Sequence, residues 1–150
     1  METGHVDRVG RPVTITSLGF TPDKSEAEIA AVVEAGARKG PDLIALPECW
    51  VGSRVDALDG PAMQTLSAIA RTWRVYIVSP IYRRDGERVL NSAVLLGRDG
   101  NMAMVYDKVY PFWCEMAAFQ GIGAVPGSEV PVFAADFGRV GLATCFDVNF

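Results

Sequence analysis

Apolar and polar positions alternate along this chain in blocks whose period changes from element to element. The first block, "PVTITSLGF" at 12–20, is β-branched and apolar, and predicts a buried strand. In "TPDKSEAEIAAVVEAGARKGP", Ile29, Val32, Val33 and Ala37 recur at helical spacing. Ser25 and Glu28 have the spacing of a capping box before them, and Arg38, Lys39, Gly40 and Pro41 form a stop signal after them. The short apolar run in "DLIALPE" then predicts a strand buried on both faces. Strand, helix and strand make a βαβ unit, whose right-handed crossover sets the two strands parallel in one sheet.

A loop, "CWVGSRVDALDG", precedes a second amphipathic helix with Pro61 in its first turn and Leu66, Ile69, Ala70 and Trp73 on one face. "VYIVSPIY" is the next strand. Turn signals at Asp85-Gly86 and Asp99-Gly100 separate it from "RVLNSAVLLG" and "NMAMVYDKVY", so the sheet continues as antiparallel hairpins. A long loop over 111–130 carries Phe112, Trp113 and Phe119, and loops of that length in a compact domain are usually functional. "VPVFAADFGRVGLATC" is expected to be a hairpin turning at 136–139, its "GLATC" arm buried on both faces. The prediction is an α/β domain over 12–150 preceded by a disordered tail at 1–11, with two helices on one face of a mixed sheet.

Composition narrows the function. With 49% hydrophobic and 21% charged residues in a length of 150, the chain is globular. A net charge of −4, with 14 Lys and Arg scattered along the chain, argues against nucleic acid as a partner. No apolar run approaches the roughly 20 residues that cross a bilayer, and the polar start lacks a signal peptide's apolar segment, which points to a cytoplasmic protein with no membrane partner. The three cysteines, Cys49, Cys114 and Cys145, are widely spaced and form neither a disulfide framework nor a zinc motif. The single histidine, His5, lies in the tail, so a nucleophile must use a base of another kind.

Functional groups in such sheets gather at the carboxyl ends of strands. Glu48 ends "DLIALPE", Lys108 ends "MAMVYDK" and Cys145 ends "GLAT". If these ends converge, the carboxylate can take the thiol proton, the thiolate can attack a carbonyl or nitrile carbon, and the ammonium can stabilise the developing negative charge. Lys108 is further expected to favour the thiolate of Cys145. Taken singly, each residue also has an ordinary role: a solvated carboxylate, a snorkelling lysine, a small core thiol.

Read whole, "PDLIALPE", "LNSAVLLGRDGNMAMVYDKVYPF" and "FGRVGLATCFD" resemble, in order and spacing, the three signature regions of the nitrilase superfamily of carbon–nitrogen hydrolases. The resemblance runs from about residue 12 to the end of the sequence. It implies Glu48 as general base, Lys108 as the lysine that stabilises the intermediate, and Cys145 as nucleophile. It also implies Glu115 as a second glutamate that orients the lysine and substrate, and the Phe146 backbone N–H as partner of the lysine in the oxyanion site. Two positions depart from the family pattern: Tyr110 stands where many relatives have histidine, and "VTITSLG" lacks a frequent glutamine.

The implied fold is the N-terminal half of an α-β-β-α sandwich, truncated, and a homo-oligomer when complete. The implied reaction is hydrolysis of a linear amide, N-carbamoyl compound or nitrile through a thioester, with neither metal nor organic cofactor. By this reading the 150-residue chain alone is not expected to be active, because one face of its sheet would be bare. Two other readings stay open: a non-catalytic remnant acting at most as an assembly partner, and a redox thiol protein built on Cys145.

Overall fold

The computed structural model describes residues 11–21, 24–52 and 54–150. Of the predicted tail at 1–11, residues 1–10, with His5, lie outside the described residues; its last residue, Arg11, pairs with Asp42 at 2.7 Å.

The predicted order of elements is observed. Strand β1 (Ile15–Ser17) leads to helix α1 (Glu26–Ala37), β2 (Leu43–Ala45), a two-residue β3 (Val55–Asp56), helix α2 (Pro61–Trp73), and three longer strands, β4 (Tyr76–Asp85), β5 (Arg88–Leu96) and β6 (Met102–Asp107). These strands form one mixed sheet in the order β1-β2-β4-β5-β6, parallel from β1 to β4 and antiparallel from β4 to β6. Beyond the end of β2, β3 takes its place beside β4. Pro80 falls in the gap between the two, where a residue without an N–H leaves no ladder bond unmade.

The capping box of α1 is present: the Ser25 hydroxyl accepts from the Glu28 N–H at 3.3 Å, and the Glu28 carboxylate accepts from the Ser25 N–H at 2.9 Å. Helix α2 starts with Pro61 and ends on Arg74 in a left-handed conformation. Both helices lie on one face of the sheet, where Ile29, Val33, Leu66 and Ala70 meet Ile44, Ile77, Val94 and Leu96 in the larger core. Trp73, predicted to face that core, lies at its margin, 36% exposed, with the Arg38 guanidinium 5.7 Å from its ring centroid.

The other face differs from the sequence expectation. It was expected to be bare, but is covered in part by β7 (Val132–Ala135) and β8 (Gly138–Gly141), which form a separate two-stranded sheet. Phe133, Phe137, Val140 and Leu142 of this hairpin pack on Leu43, Tyr76, Val78, Leu95 and Met104. Tyr76 meets Phe137 and Phe133 edge-on, with ring centroids 5.4 and 6.1 Å away. One polar side chain adds to this packing: Arg98 pairs with Asp136 in the hairpin turn and with Asp42 ahead of β2, both at 2.9 Å, while its guanidinium lies over the Tyr76 ring.

Three local expectations are corrected. Strand β1 is only three residues long and Ile15 is largely exposed, because β1 is an edge strand paired on one side only. The β8 arm is half-exposed, because nothing among the described residues lies over the hairpin's outer face. Cys145 does not end a strand: β8 stops at Gly141, and Cys145 opens a short 3-10 helix, Cys145–Asn149. The loop between β6 and β7 contains two further 3-10 turns, Trp113–Glu115 and Ala117–Phe119, and reaches back to β5 through a parallel bridge from Ala124 to Val89. Among the described residues no helix is long and apolar enough to cross a membrane.

Candidate active site

The site grows from one row of residues across three strands. Tyr82 on β4 is in register with Asn91 on β5. Since Ser92 faces Asp107, the next position sets Lys108 opposite Asn91, and the Lys108 N–H donates to the Asn91 carbonyl at 2.8 Å. Side chains of Tyr82, Asn91 and Lys108 therefore share one face, since neighbours along a strand alternate between faces. All three are buried, Lys108 to 1% exposure. On the opposite pleat Arg83, Ser92 and Asp107 make their own cluster: Arg83 donates to the Asp107 carboxylate at 2.8 and 3.0 Å, and the Ser92 hydroxyl donates to it at 2.6 Å.

Two glutamates close on the lysine. Glu48 lies three residues past β2, in a segment anchored on both sides: the Leu46 N–H donates to the Val78 carbonyl, and the Trp50 indole N–H donates to the buried Ser79 hydroxyl at 3.1 Å. Glu115 is brought in by the loop after β6. The Gly123 and Ala124 N–H groups donate to its backbone carbonyl, and Gly121 passes so near that a side-chain carbon there would lie 2.2 Å from the Cys114 carbonyl oxygen. Lys108 Nζ donates to Glu115 Oε2 at 2.6 Å and to Glu48 Oε1 at 3.0 Å. Asn91 Nδ2 donates to both glutamates as well, at 2.7 Å to Glu48 and 2.6 Å to Glu115. The Tyr82 hydroxyl and the Phe112 N–H complete the donors to Glu115, at 3.0 and 2.7 Å.

Cys145 reaches this group through a separate knot. Its backbone is left-handed, with φ of 49°. Two residues on, the buried Asp147 carboxylate accepts from the Thr144 N–H at 2.8 Å, the Tyr110 N–H at 2.9 Å and the Tyr106 hydroxyl at 2.7 Å. Asp147 thus ties the turn that bears the cysteine to the strand and loop that bear the lysine. Glu48 and Cys145 both line a cleft of about 480 Å³ between the main sheet and the β8 arm, walled by Leu43, Ala45, Val78 and Leu142.

The electrostatics follow from these contacts. Burial would lower the Lys108 ammonium, but hydrogen bonds to Glu115 and Glu48 outweigh it and hold the group above its ordinary value. Burial would raise Glu115, yet Lys108, Asn91 and the Phe112 N–H together hold it below its ordinary value. Burial and the contact with Cys49 push the Tyr82 phenol up, so it stays a neutral donor. The Cys145 thiol is raised, by burial first and then by the Glu48 carboxylate, against the opposing pull of Lys108 and the Phe146 N–H. Lys108 does pull toward the thiolate, as expected, but its one positive charge is shared between two carboxylates, and burial together with the Glu48 carboxylate outweighs it at sulfur.

The structure therefore brings Glu48, Lys108 and Glu115 into direct contact and sets Cys145 on the same cleft as Glu48. Cys49, which the sequence does not single out, lies with its sulfur 3.7 Å from the Tyr82 hydroxyl. Sequence reasoning missed Tyr82, Asn91 and Asp147. For Asn91 a signal existed: an amide interrupts the apolar run of "RVLNSAVLL", and a buried polar group needs partners.

Comparison with known proteins bears on this geometry. The sequence profile of the carbon-nitrogen hydrolase family matches residues 21–150. Omega-amidase NIT2 of Xenopus tropicalis is 26% identical over 153 residues, covering 92% of this chain and 55% of the relative. A carbon-nitrogen hydrolase from Helicobacter pylori G27 superposes with a TM-score of 0.75 at 19% identity, covering 90% of this chain and 52% of that one. A variant of the amidase from Nesterenkonia sp. AN1, solved in complex with butyramide, superposes with a TM-score of 0.72 at 22% identity, covering 92% and 57%. The chain spans about half the length of the curated omega-amidases it matches over most of its own length.

Proposed function

The chain belongs to the carbon–nitrogen hydrolase family, the nitrilase superfamily, and from that premise we propose that it carries the nucleophile, base and oxyanion stabiliser of an amidase acting on a small linear amide. The observation that carries this reading is the shared hydrogen bonding of Lys108 to Glu48 and Glu115, with Cys145 on the same cleft as Glu48. Amides rank ahead of nitriles and N-carbamoyl compounds because the relatives covering most of the chain are named amidases and one structural neighbour holds butyramide.

The proposed reaction starts from a neutral thiol, in keeping with the raised Cys145. Glu48 takes the thiol proton as Sγ attacks the amide carbon, and the carbonyl oxygen becomes an oxyanion. Two of the three Lys108 N–H donors are committed to the glutamates; the third and the Phe146 N–H receive the oxyanion. As the tetrahedral adduct collapses, Glu48 returns its proton to the nitrogen, ammonia leaves, and a thioester remains. Water then attacks the thioester while Glu48 takes its proton. That proton passes to the departing sulfur, releasing the acid and restoring the thiol.

The test is ammonia release from a panel of linear amides, nitriles and N-carbamoyl compounds by the intact protein. Turnover of a short aliphatic amide is expected, with Glu48→Gln and Cys145→Ala reducing kcat/KM by roughly 100-fold to 10,000-fold. Undiminished ammonia release in either variant would remove that residue from the reaction.

A further inference from the structure

We propose that Asn91 is the positioning residue that holds the two glutamates of this site apart and keeps both ionised, so that Glu48 stays free of a proton until the thiol supplies one. The proposal rests on the hydrolase reading for the role of Glu48, and on geometry for the rest. Glu48 and Glu115 share a single ammonium, and a second carboxylate close by disfavours the charged form of the first. A proton held on Glu48 would leave the Cys145 thiol with no acceptor.

Asn91 supplies what the lysine lacks. Its amide nitrogen donates one N–H to each glutamate, at 2.7 and 2.6 Å, from a side chain only 2% exposed. An amide turned the other way would set its oxygen against two carboxylates, so the hydrogen-bond network fixes the nitrogen in this place. The group cannot itself ionise, and its backbone carbonyl holds the Lys108 N–H, so one residue sets the spacing of all three charged groups. Among the described residues, the remaining titratable groups around the pair are Tyr82 from β4, Cys49 beside it, and Cys145 from the last 3-10 helix; Arg83 and Asp107 lie on the opposite pleat.

The experiment compares the intact protein with its Asn91→Ala, Asn91→Asp and Asn91→Ser variants. Two readouts are taken: kcat/KM for ammonia release against pH, and the pH titration of ¹³C-labelled glutamate carboxyls by NMR, assigned with Glu48→Gln and Glu115→Gln. The acid limb of kcat/KM is expected to move to higher pH in the order Asn, Ser, Ala, Asp, by about one unit or more at the end of the series. The serine variant keeps one hydroxyl donor, so partial retention there separates a donor role from simple packing, and it is read even if the other two variants unfold. Lower melting temperatures with an unmoved acid limb and unmoved carboxyl titrations would overturn the proposal. If the unaltered protein releases no ammonia from any amide, the hydrolase reading fails by itself. The carboxyl titrations then still decide the role of Asn91: a raised glutamate midpoint in the variants supports it, and unchanged midpoints overturn it.

Discussion

Cys145 combines a left-handed backbone with a thiol raised above its ordinary value of 9.0, a pairing that Cys49 shares. The first costs a residue other than glycine about 1 kcal/mol, and the Asp147 knot around it supplies the compensating hydrogen bonds. The second has a definite sign. Because folding raises the thiol, it favours the neutral form: this contribution to stability is full below the unfolded value and is lost as pH rises past it toward the folded one. Iodoacetamide alkylation of Cys145 against pH, read by peptide mass spectrometry, should show a higher midpoint in the native protein than in urea. Glu48→Gln should lower that midpoint by removing a charge that raises it; an unmoved midpoint would mean that Glu48 does not face the sulfur. At this scale the sequence revealed which residues carry reactive groups, but not the balance of charge at the sulfur, which depends on how far Lys108 is committed to its two glutamates.

At the scale of elements, the site depends on where the β7–β8 hairpin lies, since Cys145 follows β8 by four residues while its partners sit on the main sheet and its loops. Arg98 is the strap. It joins Asp136 to Asp42, donates to the Arg74 carbonyl at 2.5 Å and covers the Tyr76 ring. Asp42, which also pairs with Arg11, is held well below the usual carboxylate range by those guanidinium groups and the Thr14 N–H. Arg98→Ala should cost about 1 to 2 kcal/mol, more than a lone exposed ion pair, because packing on Tyr76 is lost with the charges. Amide hydrogen exchange should show the increase concentrated in 132–144. A uniform increase across the sheet would mean that the hairpin is held by its apolar contacts alone. The hairpin was legible in the sequence; its departure into a second layer was not, because a period of two identifies a strand without saying which sheet receives it.

For the molecule as a whole, the helix face is closed and the opposite face is closed only as far as a two-stranded hairpin reaches. Ile15, Val130, Val132, Val148 and Phe150 are all more than half exposed, and Trp113 and Phe119 add aromatic surface beside them. Apolar surface of that kind ordinarily pairs with another surface. The 150-residue chain by itself should therefore elute from size exclusion as dimers or larger species whose proportion rises with concentration. A monodisperse monomer with a cooperative melt at every concentration would show that the hairpin alone covers enough.

The amino-acid sequence by itself determined the α/β class, the order of strands and helices, the capped start of α1, the two hairpin turns of the main sheet, and the candidacy of Glu48, Lys108, Glu115 and Cys145. Each of these is written in neighbours a few residues apart or in a short ordered motif. Tertiary structure alone decided that Asn91 and Tyr82 join the glutamates, that Asp147 anchors the cysteine turn, and that the thiol rests neutral. Those outcomes depend on contacts across 43 residues from Asn91 to Glu48, 60 from Lys108 to Glu48 and 41 from Tyr106 to Asp147. Strand register and layer packing set such distances, and no local pattern in the chain encodes the direction in which a buried amide or carboxylate will point.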